Sequence, residues 1–405
     1  MKIALLSVHG CPLRMAGTKD VGGMNIYINE ISKSLSRISI NCQIDIFSRR
    51  HDLFDPFIIQ INDNVRVIHI PAGPPSLSKT DTYDLLEEFT KTISEFTLKN
   101  QITYDYIWSH YWLSGIVGIE LKKLWGIPHI TTFHTIFSIK QFYNINIETD
   151  HKMRSNYEEI ISKKVDMIIT FSEHEKRWLS ENFKANEKKI KIVYPGVDKN
   201  KFYSMNKSYS NEKNRRLKLE LLFVGRNETI KGLDVLINSL IKVSNHQQSY
   251  QWRLNVVGGE YTDSELIDMK KKIGQDMFSN SINFIPSVTH TKLYEYYDRS
   301  DLLIVPSYYE SFGLVALESI ACSTPVIASN VGGLSIIINP GYNGFLFEAG
   351  DDYSLSEIII SMYLRDGNPD WMKIKSLSKN ALNHSEMFSW ENSAKKIISY
   401  MEKLV

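Results

Sequence analysis

The sequence predicts an α/β chain of two doubly wound, Rossmann-like domains, and three observations carry that prediction. Short β-rich runs alternate along the whole chain with segments whose apolar residues recur at helical spacing, such as NIYINEISKSL and LDVLINSLIKV. Most of the β-rich runs are continuous apolar stretches, which suits parallel strands covered on both faces. The length, 405 residues, is too great for one typical core and points to two or three domains. Repeated βα units of this kind build open doubly wound sheets.

The first half offers KIALLSV, QIDIFS, VRVIHI, YDYIWS, HITTF, DMIITF and KIVYP as strands, and the second offers LELLFVG, RLNVVG, SINFIP, DLLIVP, PVIAS and GFLF. Thirteen strands are too many for one ordinary sheet, so they divide into two. The segment from Asp198 to Lys218 is polar, basic and without periodicity, which marks an inter-domain linker or exposed loop. Residues 1–198 then form an N-terminal domain and 199–387 a C-terminal one. The remaining stretch, 388–405, is a terminal helix with Ser389 as N-cap and Ala394, Ile397, Ile398 and Met401 on its apolar face.

Composition narrows the class. Hydrophobic content of 43% and charged content of 23% are ordinary for a globular protein. A net charge of +1 gives no reason to expect a nucleic-acid partner. No apolar run reaches the length of a membrane span, and the opening MKIALLSVHG is too short in its apolar core for a signal peptide. Cys11, Cys42 and Cys322 are odd in number and widely spread, so neither a disulfide framework nor a zinc site is expected. A cytoplasmic location follows as an expectation.

In open α/β sheets ligands sit outside the carboxyl ends of the strands, and the chemically interesting residues collect there. His9 follows the first strand, His110 and Tyr111 follow YDYIWS, and His134 and Thr135 follow HITTF. In the second half Gly225 and Arg226 follow LELLFV, Gly258 and Gly259 follow LNVV, and Glu310 follows DLLIVP. A lone histidine in such a place is commonly structural; three at the strand ends of one sheet weigh against that. The stretch PSYYESFGLVALE reads as a loop and a helix start around Phe312, Gly313 and Leu314, where free N–H groups suit an anion. Glu310 before this helix and Glu318 within it suit two ends of an extended, hydroxyl-rich ligand. Arg226 and Lys231 share one loop and can neutralise a diphosphate, as no carboxylate could. Gly22 and Gly23 open another helix start, which serves either a tight turn or phosphate.

Taken together these segments resemble the retaining, two-domain glycosyltransferases of family 4, whose GT-B fold sets two Rossmann-like domains facing a central cleft. The pattern stands here as VGR, KG and ESFGLVALE, that is Arg226, Lys231, Gly232, Glu310 and Glu318. The resemblance implies that Arg226 and Lys231 meet the donor diphosphate, Glu310 the sugar hydroxyls and Glu318 the ribose. Gly23, Phe312, Gly313 and Leu314 complete the implied donor site, and His134 joins Arg226, Lys231 and Glu310 as catalytic. It also implies that the last helix returns to the first domain. HGCPLRMAGTKDVGGMNIY, AGPPSLSK, SHYWLSG and TFHT are most similar to the enzymes that add N-acetylglucosamine to inositol phosphate in mycothiol synthesis. By position Lys79, Tyr111, Thr135 and Arg154 would hold an acceptor phosphate, with His9, Asp20 and Asn25 beside the acceptor ring. Gly10 and Cys11 stand where that group has Thr and Ser, Ser323 replaces a glycine, and Val288 replaces an arginine near the base.

The expected activity is transfer of a hexosyl unit from a nucleoside-diphosphate sugar, UDP-linked, to a small phosphorylated polyol or sugar phosphate, with inositol phosphate favoured. No metal or other cofactor is expected. The sucrose-phosphate synthase pattern, with a hexose phosphate acceptor, is the alternative within the family. Phosphatidylinositol glycosylation at a membrane surface and a non-catalytic nucleotide-sugar binder are the others, and a homodimer stays open.

Overall fold

The computed structural model describes residues 1–14, 22–39, 41–74, 77, 81–142, 151–204, 217–247, 250–259, 261–274 and 281–404. The chain divides into two compact units, Met1–Gly196 with Trp390–Val405, and Val197–Ser389. Residues 205–216, within the segment read as a linker, lie outside the described residues.

Unit 1 holds strands β1 (Lys2–Leu6), β2 (Gln43–Arg49), β3 (Ile58–Asn62), β4 (Val65–Ile70), β5 (Tyr106–His110), β6 (His129–Thr132), β7 (Met167–Thr170) and β8 (Ile190–Ile192). They lie in the order β3-β4-β2-β1-β5-β6-β7-β8. Every pair is parallel except β3 with β4. β5, β6 and β7 are buried along their whole lengths, which is why they read as unbroken apolar or small-residue runs. The last helix, Trp390–Met401, packs in this unit against the helix Gly23–Ile38. Trp390 meets Tyr27 edge-on at 5.5 Å between ring centroids, and Tyr106 donates its hydroxyl hydrogen bond to the Met401 carbonyl at 3.1 Å.

Unit 2 holds β9 (Leu219–Val224), β10 (Trp252–Val257), β11 (Ile282–Ile285), β12 (Leu302–Val305), β13 (Val326–Ser329) and β14 (Gly344–Phe347). The order is β11-β10-β9-β12-β13-β14, parallel throughout. Leu221, Phe223, Leu254, Val256, Ile304 and Ile327 form the sheet's part of the core, and Leu236, Leu240, Leu355 and Ile359 cover it from helices.

All thirteen predicted strands are present, and both sheets are of the expected doubly wound kind. Among the described residues one further strand, β3, was not predicted. It is an antiparallel edge strand, half in water, and so lacks the continuous apolar run by which the others are recognised. Each sheet reverses its order at one place, between β1 and β5 in unit 1 and between β9 and β12 in unit 2. Ligand crevices open at the carboxyl ends of such strands.

Candidate active site

In unit 2 the loops after β9 and β12 flank the switch point, and bare backbone lets them touch. A Cβ on Gly232, whose φ is +68°, would collide with the Pro306 carbonyl oxygen. No side chain fits there, so the turn Thr229–Lys231 lies directly against the start of the β12 loop. Across this contact the Lys231 ammonium donates to Glu310 Oε1 at 2.6 Å, and Ser307 Oγ donates to the same oxygen at 3.1 Å. Arg226 pairs with Glu228 at 3.0 Å. Gly313, at φ +99°, caps the helix Leu314–Ala321 without a side-chain cap. Phe312 is buried beside it, and Leu314 opens the helix. Gly332 is pressed so closely on Glu310 that a Cβ would lie within bonding reach of the Glu310 carbonyl oxygen.

Glu318, on the second turn of that helix, is almost wholly buried. Its two oxygens are occupied separately: His290 Nε2 lies 2.7 Å from Oε1, and the Tyr297 hydroxyl donates to Oε2 at 3.0 Å. With a carboxylate acceptor, Nε2 is the protonated nitrogen of His290. Burial and the adjoining carboxylate push the Tyr297 hydroxyl well above the ordinary phenol range, so it stays a donor. Sequence reasoning missed Glu228, His290, Tyr297 and Gly332.

In unit 1 the crevice side chains are mostly neutral rings. His9 follows β1 and sets its ring 4.4 Å from that of Tyr111, which follows β5. His110 Nδ1 and His134 Nε2 share a hydrogen bond of 2.8 Å, and Tyr27 packs on both rings. Burial lowers His134 to about 3, and burial followed by the neighbouring His134 lowers His110 well below the usual imidazole range. Both are neutral at pH 7, so His134 enters any chemistry as a hydrogen-bonding imidazole and not as a cation. Tyr111 and His134 have left-handed backbones, φ +73° and +61°. Non-glycine residues hold that conformation only where the surroundings impose it, and such strain concentrates at functional sites.

Arg154 joins the helix His151–Lys164 to this group. Its guanidinium lies 4.6 Å over the Tyr111 ring, and Nη2 donates to the Thr135 carbonyl at 2.9 Å and to Thr135 Oγ1 at 3.0 Å. Nε donates to Glu158 at 2.7 Å, and the other Glu158 oxygen accepts from the Phe137 N–H at 2.8 Å. Both members of this ion pair are buried. Desolvation raises Glu158 above the ordinary carboxylate value, and Arg154 opposes the shift. Tyr111, Thr135 and Arg154 are therefore together, with Glu158 as a member that the sequence reading lacked.

Gly23 is the first residue of the helix Gly23–Ile38, whose Gly22 N-cap makes no side-chain bond. Asn25 is buried and donates to the Cys11 carbonyl at 2.6 Å. Gly10 lies against Met24 and Asn25, where an added Cβ would come within 2.6 Å of Met24 Cε. A larger residue there would require Met24 to move. Asp20 and Lys79 lie outside the described residues.

Two family models cover most of the chain, Glycosyltransferase Family 4 over residues 21–201 and Glycosyl transferases group 1 over 206–383. A D-inositol 3-phosphate glycosyltransferase of Corynebacterium glutamicum is 32% identical over 408 residues, which is 98% of this chain and 96% of that one. The chain belongs to this glycosyltransferase family. The Actinosynnema mirum protein of the same name is also 32% identical, over 98% of this chain and 96% of its own. Sucrose-phosphate synthase from Thermosynechococcus elongatus superposes with a TM-score of 0.86 at 28% identity, covering 100% of this chain and 98% of that one. Anabaena HepE, solved with UDP-glucose, has a TM-score of 0.71 at 18% identity, with 100% of both chains covered, and shares the fold. The molecule is thus a GT-B glycosyltransferase. Among the described residues no helix is long and apolar enough to cross a membrane, and no group of three or more His, Cys, Asp or Glu is set to hold a metal.

Proposed function

We propose that this glycosyltransferase moves a hexosyl unit from a UDP-linked sugar to a hydroxyl of a small phosphorylated polyol, inositol phosphate above all, with retention at the anomeric carbon. The observation that carries the donor half is the Lys231–Glu310 pair at the unit 2 switch point, beside a helix start opened by Gly313. A cation and N–H groups suit a departing diphosphate, and a carboxylate suits sugar hydroxyls. Glu318 would take the ribose. The acceptor half rests on Tyr111, Thr135 and Arg154 meeting at the strand ends of unit 1, and on the names of the relatives that span the whole chain.

In this reading the bond from the anomeric carbon to the diphosphate breaks as the acceptor oxygen approaches from the same face. The acceptor proton passes to the departing phosphate oxygen, and Arg226 and Lys231 carry the charge that develops. No resident metal is part of the scheme, so EDTA should leave the rate unchanged. UDP release measured over inositol phosphate, free inositol and hexose phosphates tests the acceptor. The reading expects inositol phosphate to be used and free inositol not; equal use of both would overturn the phosphate assignment. A second reading, a hexose phosphate acceptor, is favoured by the likeness to sucrose-phosphate synthase and would show itself in the same assay.

A further inference from the structure

Both cations of the donor site already have carboxylate partners. Lys231 is held by Glu310 at 2.6 Å, with neither side chain more than a quarter exposed, and Arg226 is held by Glu228 at 3.0 Å. Glu228 is fixed by the loop itself. Its N–H donates to the Arg226 carbonyl at 2.8 Å, and its own carbonyl accepts from the Lys231 N–H at 2.8 Å. The turn fixes the Glu228 backbone between the two cations in sequence, and its carboxylate lies beside Arg226.

We propose that Glu228 and Glu310 are internal competitors of the donor's diphosphate, each holding a cation that the diphosphate must capture. The inference rests on the donor reading above and adds a role for Glu228 that the reading does not contain. A phosphate oxygen within hydrogen-bonding distance of Arg226 Nη2 would stand a few ångströms from the Glu228 carboxylate, where two like charges repel by ~1 kcal/mol even in bulk water. The carboxylate must swing away, and its lost ion pair opposes binding. At Lys231 the exchange has a further consequence. Once the diphosphate draws the ammonium off, Glu310 has lost a charged partner, and the sugar hydroxyls replace it. UDP alone leaves that carboxylate with the Ser307 hydroxyl but no replacement for the ammonium, whereas the hydroxyls of a UDP-sugar supply one. The exchange therefore favours the substrate over the spent nucleotide.

Calorimetric titration of the full chain with UDP, a UDP-sugar and uridine tests this in the wild type, Glu228→Gln and Glu310→Gln. An exposed ion pair is worth up to about 1 kcal/mol, so Glu228→Gln should bind UDP about two- to fivefold more tightly, with uridine unchanged. Glu310→Gln should also bind UDP more tightly, and its preference for the UDP-sugar over UDP should shrink. Misfolding cannot imitate a gain in affinity. If neither variant binds UDP more tightly than the wild type, the competition is refuted while the donor reading stands. If the wild type binds neither UDP nor the UDP-sugar, the donor reading falls and the competition with it.

Discussion

The two strand-end groups of this molecule are built in opposite ways. In unit 2 Arg226, Glu228, Lys231 and Glu310 sit on loops, partly in water, and Lys231 reaches Glu310 across the contact of Gly232 with Pro306; Glu318 alone of this group is buried, on a helix. In unit 1 the ion pair Arg154–Glu158 is buried, the imidazoles are held neutral, and the backbone at Tyr111 and His134 is left-handed. The physical difference is solvent. An ion pair in high dielectric contributes little to stability and exchanges readily; a buried one has lost its hydration and cannot give up a partner without large cost. Substitutions of the unit 2 loop charges should therefore cost activity and spare stability, while those of the buried unit 1 pair should cost both.

The largest expected effect on stability is at Arg154. Its replacement by Ala leaves Glu158 buried without its counter-charge and should destabilise unit 1 by about 3–5 kcal/mol, read from urea denaturation. Replacing Arg154 and Glu158 together by Leu should destabilise less than the single change. A double variant worse than Arg154→Ala would show that the pair does more than neutralise itself. Lys231→Ala is the counterpart in unit 2. Turnover should fall by roughly 10²–10³, as on loss of a group that stabilises developing charge, with unfolding free energy within about 1 kcal/mol of wild type. Retained turnover would remove Lys231 from the diphosphate.

Acid should act mainly through unit 1. Burial holds His129 and His134 at about 3 against an ordinary 6.5. As pH falls below about 6.5 the unfolded chain takes up these protons and the native state does not, so stability present above that pH is lost progressively towards 3. The slope is up to about 1.4 kcal/mol per pH unit for each histidine. In His129→Gln the urea midpoint should fall less steeply between pH 6.5 and 4; an unaltered slope would assign the acid loss to other groups.

The smallest expected effect concerns Ser323. It follows the helix Leu314–Ala321 and its Cys322 cap at φ +58°. The Thr324 N–H bonds to the Ser319 carbonyl at 2.9 Å, and the Ser323 N–H to that of Ile320 at 3.1 Å, the pattern of a Schellman cap, where glycine is favoured. That accounts for the glycine usual at this position. Ser323→Gly should raise stability by up to about 1 kcal/mol, the left-handed strain relieved less the entropy of glycine in the unfolded chain. A lowered melting temperature would mean that the serine side chain contributes more than its backbone costs.

Much of this was legible in the sequence because parallel strands buried on both faces leave unbroken apolar runs, and the residues after them must lie at one edge. Arg226, Lys231 and Glu310 were placed on the loops after the strands by that rule, and their roles came from the family resemblance. Glu158 was not, since Arg154 and Glu158 four residues apart look like any exposed helical pair, and only tertiary packing buries them. His290 and Tyr297 reach Glu318 from 28 and 21 residues away, a separation on which no local pattern bears. The left-handed backbone of Tyr111 carries no signal either, because tyrosine is not a residue that such a conformation selects, and a single histidine such as His134 selects it only weakly.

The measurement that tests the central claim most directly is the NMR spectrum of the product formed from a UDP-α-sugar and inositol phosphate. The account predicts an α-glycoside whose acceptor still carries its phosphate, formed by the wild type and almost absent with Lys231→Ala. A β-glycoside, or free sugar and UDP with no glycoside at all, would contradict it.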